Sequence, residues 1–113
     1  MKQATRKPTT VGDVLQYEYL EPLDLKINDL AEILHVHRNT VSALVNNNRK
    51  LTTDMAFRLA KAFDTSVDFW RNLQSAVDLW EVENDMRAQE ELNRIVSVKK
   101  FVAQRDVAAI KVA

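Results

Sequence analysis

The sequence predicts an all-α protein, and three observations carry that prediction. Its 113 residues include one glycine and two prolines, which leaves few places for hairpins and tight strand turns. Apolar residues recur at i, i+3, i+4 and i+7 in several segments, the period of one helix face. No segment alternates apolar and polar residues over the roughly four to eight positions that a half-buried strand needs.

Residues 1–9 lack an apolar period and contain Pro8, so they read as a loose arm. Thr10 followed by Asp13 has the spacing of a capping box, in which the hydroxyl takes an orphan amide and the carboxylate returns the bond. Val11, Val14, Leu15 and Leu20 then form a short amphipathic helix that ends near Pro22, whose ring cannot continue it. A second helix over about 27–34 carries Ile27, Leu30, Ala31 and Leu34 on one face. After a break at 35–36, a third over about 38–46 buries Val41, Leu44 and Val45. Three asparagines at 46, 47 and 48 act as a stop signal, because asparagine tolerates the left-handed conformation past a helix end.

A fourth helix starts after Thr52 and carries Met55, Ala56, Leu59, Ala60 and Phe63. Thr65 with Asp68 reads as another capping box, opening a fifth helix with Trp70, Leu73, Val77 and Trp80 on its apolar side. A single weaker helix is expected over about 90–110, from Leu92, Ile95, Val98 and Val102, joined by an acidic stretch. The organisation is then an arm (1–9), a helical domain (10–86) and a C-terminal helical extension (87–113).

Composition narrows the function. The chain has no cysteine, which excludes a disulfide framework and thiolate metal sites. No run approaches the roughly 20 apolar residues of a membrane span. The basic start MKQATRKPTT has no apolar segment behind it, so a secretory signal is not expected and the cytoplasm is. Sixteen basic and sixteen acidic residues give zero net charge, which counts against a nucleic-acid partner. Their distribution weakens that objection: residues 78–91 hold Asp78, Glu81, Glu83, Asp85, Glu90 and Glu91 against Arg87 alone, leaving room for a basic face elsewhere.

The second and third helices, short and separated by a brief break, have the form of a helix-turn-helix. The outer face of the third shows His37, Arg38, Asn39, Ser42 and Asn46, with no acid among them, whereas the second exposes Asp29 and Glu32. A helix entering a groove lined with phosphates and acceptor-rich bases requires such a face. Arginine pairs bidentately with guanine and asparagine with adenine, while the Thr40 or Ser42 hydroxyl suits a phosphate or base edge. Arg49 and Lys50, just past the helix, are placed for backbone phosphates, which add affinity without sequence information. A merely solvated polar face is the competing explanation.

The stretches RKPTTVGDVLQYEYLEPLDL (6–25), LAEILHVHRNTVSALVNNNRKLT (30–52) and MAFRLAKAFDTSVDFWRNLQSAVDLWE (55–81) resemble the HigA-type antitoxins of bacterial toxin–antitoxin modules, within the Xre/Cro-like helix-turn-helix superfamily. The resemblance covers about residues 6–86 and implies a five-helix, lambda-repressor-like helix-turn-helix bundle with an extra C-terminal helix. It implies base reading by His37, Arg38, Asn39, Thr40, Ser42 and Asn46, and phosphate contacts from Lys26, Asn28, Arg49 and Lys50. It further implies a homodimer on a palindromic operator in double-stranded DNA, with reading helices roughly 34 Å apart. The expected activities are repression of the protein's own operon and neutralisation of a HigB-like toxin, an mRNA-cleaving ribonuclease. Family members often carry glycine where this chain has His35, Asn47 and Asp64, each just past a helix; all three residue types tolerate positive φ. Lys26 stands where serine or threonine usually caps the second helix, which exchanges a cap for a cation beside a phosphate.

Other readings are weaker. His35 and His37 lack further ligands for a metal, and no cofactor or catalytic residue is expected. Aromatics at helical spacing are mostly core or interface, so Trp70, Leu73, Val77 and Trp80 are assigned to core plus dimer contact. The acids of 78–91 read as a solvated face. Lys2, Arg6 and Lys7 read equally as a tail or as an arm following a DNA groove. A stand-alone Xre-family regulator without a toxin, and a helical protein-interaction module, stay open as alternatives.

Overall fold

Every secondary-structure element in the computed structural model, which describes residues 6–112 (side chains to 106), is a helix. Lys2 of the expected arm lies outside the described residues. Helix α1 (Val11–Val14) opens where Thr10 Oγ1 accepts the Asp13 amide at 3.0 Å, the hydroxyl half of the expected capping box; the return bond from the Asp13 carboxylate is not formed among the described residues. It runs straight into a π-helical turn, Leu15–Leu20, closed by Glu21 N–H to Gln16 O (3.0 Å). Leu15 and Leu20 lie five residues apart and are both buried, which the wider i→i+5 turn accommodates. The sequence pattern gives the apolar positions but not this widening.

Helix α2 (Ile27–Leu34) starts at Lys26, whose backbone N–H donates to the Asp29 carboxylate at 2.8 Å, so half of a capping box survives without a Ser or Thr. It stops at His35, in left-handed backbone with φ 57°. Helix α3 (Arg38–Val45) follows, then α4 (Thr53–Phe63), capped by Thr52 Oγ1 on the Met55 amide (3.2 Å) and ended by Asp64 at φ 54°. Asn47 is also left-handed, at φ 60°. All three glycine-substituting residues therefore sit where glycine would be favoured. Asp24, at φ 53°, is a fourth such residue that the sequence does not flag.

Helix α5 (Val67–Glu83) corrects one expectation. Its cap is Ser66, whose Oγ accepts the Phe69 amide at 3.0 Å, and not Thr65. The Thr65 hydroxyl instead accepts Trp70 Nε1–H at 2.7 Å, satisfying the polar edge of the largest fully buried side chain. The C-terminal region corrects another. Two helices, α6 (Met86–Asn93) and α7 (Val98–Val112), replace the single helix expected over 90–110. Asp85 caps the first through the Arg87 and Ala88 amides, and Ser97 Oγ takes the Lys100 amide (3.1 Å) to open the second.

The core is drawn from α1 to α5: Val11, Val14, Leu15, Leu30, Leu34, Val41, Leu44, Met55, Leu59 and Trp70 among others. Tyr19, Phe63 and Trp70 form an aromatic cluster with centroids 4.0 to 5.9 Å apart. Burial of such side chains contributes about 1.5–3 kcal/mol each. The glycine Gly12 permits α1 to lie against the end of α3, since a Cβ there would fall 2.5 Å from Val45 O and 2.7 Å from Leu44 O. That contact holds the C-terminal end of α3 to the body of the fold. Helix α7 leaves the body, giving overall extents of 74 × 27 × 23 Å. No helix among the described residues is long and apolar enough to cross a membrane.

Candidate nucleic-acid interface

The α2–α3 hairpin fixes which side of α3 meets solvent. Val41, Leu44 and Val45 are buried against the core, so the opposite side carries His37, Arg38, Asn39 and Asn46 exposed, with Thr40 and Ser42 half-buried. No carboxylate occurs from residue 33 to residue 53, so α3 itself carries no negative charge although the chain is neutral, and the nearest acid on its C-terminal side is Asp54, which lines a small pocket with Thr40 and Arg49.

Its side chains are partly organised. Asn28, at the start of α2, accepts Arg38 Nε–H through Oδ1 at 2.7 Å. That bond uses the inner nitrogen of the guanidinium and leaves both terminal nitrogens as a fork, the geometry that reads guanine O6 and N7. Asn28, expected as a phosphate contact, is thus the residue that orients Arg38. His37 caps α3, its Nδ1 accepting the Asn39 amide at 3.1 Å, which leaves Nε2 as a donor. The Asn39 side chain makes no hydrogen bond among the described residues and is available for an adenine edge. Arg49 folds back so that Nη1 donates to Thr40 Oγ1 (3.2 Å), placing a second guanidinium beside the same face. Asn46 Nδ2 reaches Ser42 Oγ at 3.4 Å, a long contact that spares most of both groups. Lys26 is exposed at the α2 start.

Lys50 departs from its expected role. Its Nζ lies 2.9 Å from Asp78 Oδ1 and 3.1 Å from Glu81 Oε1, both on α5. Hydrogen bonding to Asp78 and then Glu81, followed by their charges, raises the Lys50 pKa, and the Lys50 hydrogen bond is the main cause that lowers that of Asp78. In this structure Lys50 pairs with two carboxylates across an exposed surface and ties the loop after α3 to α5. The adjacent Leu51 amide reinforces the tie by donating to Gln74 Oε1 at 2.9 Å. Asp78 and Glu81 lie 28 and 31 residues from Lys50, a separation at which sequence pattern gives no pairing signal.

The set assigned to a dimer interface divides. Trp70, enclosed by the aromatic cluster, is 0% exposed and Val77 is also buried, so neither presents area to a second molecule. Leu73 and Trp80 are half-buried, while Leu79 and Val82 are exposed on the same helix.

The helix-turn-helix family matches residues 17–70, spanning α2 to the start of α5. The Escherichia coli K12 protein named "Uncharacterized HTH-type transcriptional regulator YbaQ" is 77% identical over 113 residues, all of both chains. Antitoxin HigA-1 of Vibrio cholerae is 46% identical over 91 residues, covering 80% of this chain and 84% of that protein. The solved Pseudomonas aeruginosa antitoxin HigA with the higBA promoter superposes with a TM-score of 0.72 at 34% identity, over 81% of this chain and 99% of its own. The chain belongs to the HigA-type, Xre-like helix-turn-helix family. Members are DNA-binding transcription regulators and antitoxins, not enzymes, and this HigA-type chain is a helix-turn-helix DNA-binding regulator.

Proposed function

We propose that the protein is a cytoplasmic homodimer that represses its own operon by reading a palindromic operator with α3, and that it neutralises a HigB-like ribonuclease toxin. One observation carries the DNA half: the exposed, carboxylate-free side of α3, with the Arg38 fork held by Asn28. In this reading Arg38 and Asn39 specify bases, assisted by His37, Thr40, Ser42 and Asn46. Lys26 and Arg49 supply phosphate affinity. Residues 10–86 form the DNA-binding domain, 87–113 are an extension, and the exposed side of α5 around Leu73 and Trp80 forms the contact between copies. The toxin half is supported by the likeness to HigA-1 and to the promoter-bound HigA.

A stand-alone regulator is the second reading, favoured because a relative matching the full length is named a transcriptional regulator and not an antitoxin. Titration against the DNA upstream of the coding gene, at several salt concentrations, tests the first half: a sequence-selective, salt-dependent complex is expected, and equal affinity for scrambled DNA overturns it. Co-expression with the adjacent small open reading frame tests the second half. Growth rescue with a co-purifying complex supports the antitoxin role, and a harmless neighbour that does not co-purify leaves the stand-alone regulator.

A further inference from the structure

Among the described residues, the C-terminal region carries an apolar surface that the rest of the chain leaves exposed. Among residues 90–106 only Val102 is even half-buried, and Ile95, Val98 and Phe101 are 71%, 80% and 58% exposed. Val98, Phe101 and Val102 stand at i, i+3 and i+4, so they share one side of α7. From residue 94 to 106 this segment is also cationic: Lys99, Lys100 and Arg105 stand against Asp106, while Arg94 pairs with Glu91 at 3.2 Å. The α5–α6 junction has the opposite character. Leu79, Val82 and Met86 are exposed at 63%, 46% and 79%, spaced three and four apart along the chain. Met86 lines a shallow groove of about 410 Å³ together with Glu83, Glu90 and three amide side chains, Asn84, Gln89 and Asn93. Residues 78–91 hold six carboxylates against Arg87; Asp78 and Glu81 pair with Lys50 and Glu91 with Arg94, which leaves Glu83, Asp85 and Glu90 without a cationic partner among the described residues.

We propose that α7 of one copy docks on the α5–α6 junction of a second copy, its Val98–Phe101 side over Leu79, Val82 and Met86, with Lys99 and Lys100 facing Glu83 and Glu90. This rests on the homodimer reading above and specifies what holds the dimer beyond α5. The two surfaces match in both apolar character and charge, and each copy contributes one of each, so a two-fold axis satisfies both at once. DNA is a poor alternative occupant: it would leave Val98 and Phe101 unburied, and the acidic junction beside them would be repelled by phosphates.

Charge reversal in the full-length protein tests the proposal. One variant carries Lys99→Glu with Lys100→Glu; the other carries Glu83→Lys with Glu90→Lys. Alone, each places like charges across both halves of its dimer, and sedimentation equilibrium at low salt is expected to show dimer dissociation constants raised about tenfold or more, from four exposed pairs lost. Mixed, the two variants match in both halves, so native mass spectrometry is expected to find the heterodimer in excess over both homodimers. If Glu83→Lys unfolds the α5 end, Glu90→Lys alone replaces the second variant. Wild-type affinity in each variant with statistical mixing overturns the docking, as does a Lys99→Glu/Lys100→Glu protein that loses DNA affinity with its dimer intact. A wild-type chain that sediments as a monomer overturns the homodimer reading itself, an outcome distinct from these.

Discussion

Replacing Asn28 with alanine removes the acceptor that holds Arg38 Nε at 2.7 Å and leaves the guanidinium to sample its rotamers in solvent. In the free protein both groups are exposed, so the bond adds little to stability. In a DNA complex it is shielded from water, and losing its orienting effect costs about 1 kcal/mol, about fivefold in affinity for the operator. Arg38→Ala removes the fork itself and costs about 1–3 kcal/mol, with preference relaxed at one base pair per half-site. Because Asn28 acts through Arg38, the two losses should not add: Asn28→Ala in the Arg38→Ala background should change affinity hardly at all. Fluorescence anisotropy of labelled operator with the four proteins at one fixed salt concentration gives the coupling directly. The same fivefold loss in both backgrounds would mean that Asn28 touches DNA on its own account, and the orienting role assigned to it would be wrong.

Three further outcomes follow from the packing and the ion pairs. Gly12→Ala brings a Cβ to within 2.7 Å of two backbone carbonyls at the end of α3, so it should destabilise the fold by about 2 kcal/mol or more in urea unfolding and weaken operator binding by displacing α3. Thr65→Val strands the buried Trp70 Nε1–H and should cost about 1–3 kcal/mol by the same method, whereas Thr65→Ser, which keeps the acceptor, should cost much less. The Asp78 pKa is depressed chiefly by Lys50, so its contribution to stability is present above the ordinary carboxylate range and is lost as pH falls through the lowered value. The Lys50 pKa is raised, so its share persists at neutral pH and is lost only when pH rises beyond the ordinary amine range. Asp78→Asn should therefore flatten the acid side of a Tm-versus-pH profile, and the difference from wild type should shrink at high salt because both groups are substantially exposed.

The parts of this fold that were legible from the sequence are those set by local rules. Thr10 and Thr52 cap helices because a hydroxyl three residues before a free amide is a local geometry, and Leu30, Ala31 and Leu34 are buried because their period admits one face only. His35, Asn47 and Asp64 sit at positive φ, as their places past helix ends predict. Failures came where two local solutions compete. Thr65 and Ser66 are adjacent hydroxyls, and the indole of Trp70 decides which of them caps α5. Ser97 offers a cap inside the weak apolar pattern and splits the expected last helix in two, while Asp85 starts α6 ahead of the expected bounds. At the site, the exposed face of α3 was legible from periodicity and charge. The bonds that organise it were not: Arg38 to Asn28 joins two helices and Lys50 to Asp78 joins a loop to a helix, and only packing brings these residues together.

The central claim, that α3 reads bases with Arg38, is tested most directly by selecting binding sites from a random duplex pool with the wild-type protein and with Arg38→Ala in parallel. The wild type should enrich a palindrome with half-sites about one helical turn, roughly 34 Å, apart, and Arg38→Ala should enrich the same palindrome with preference lost at one symmetric pair of positions. Identical motifs from both proteins, or no enriched motif from the wild type, would contradict the assignment of α3 as the reading helix.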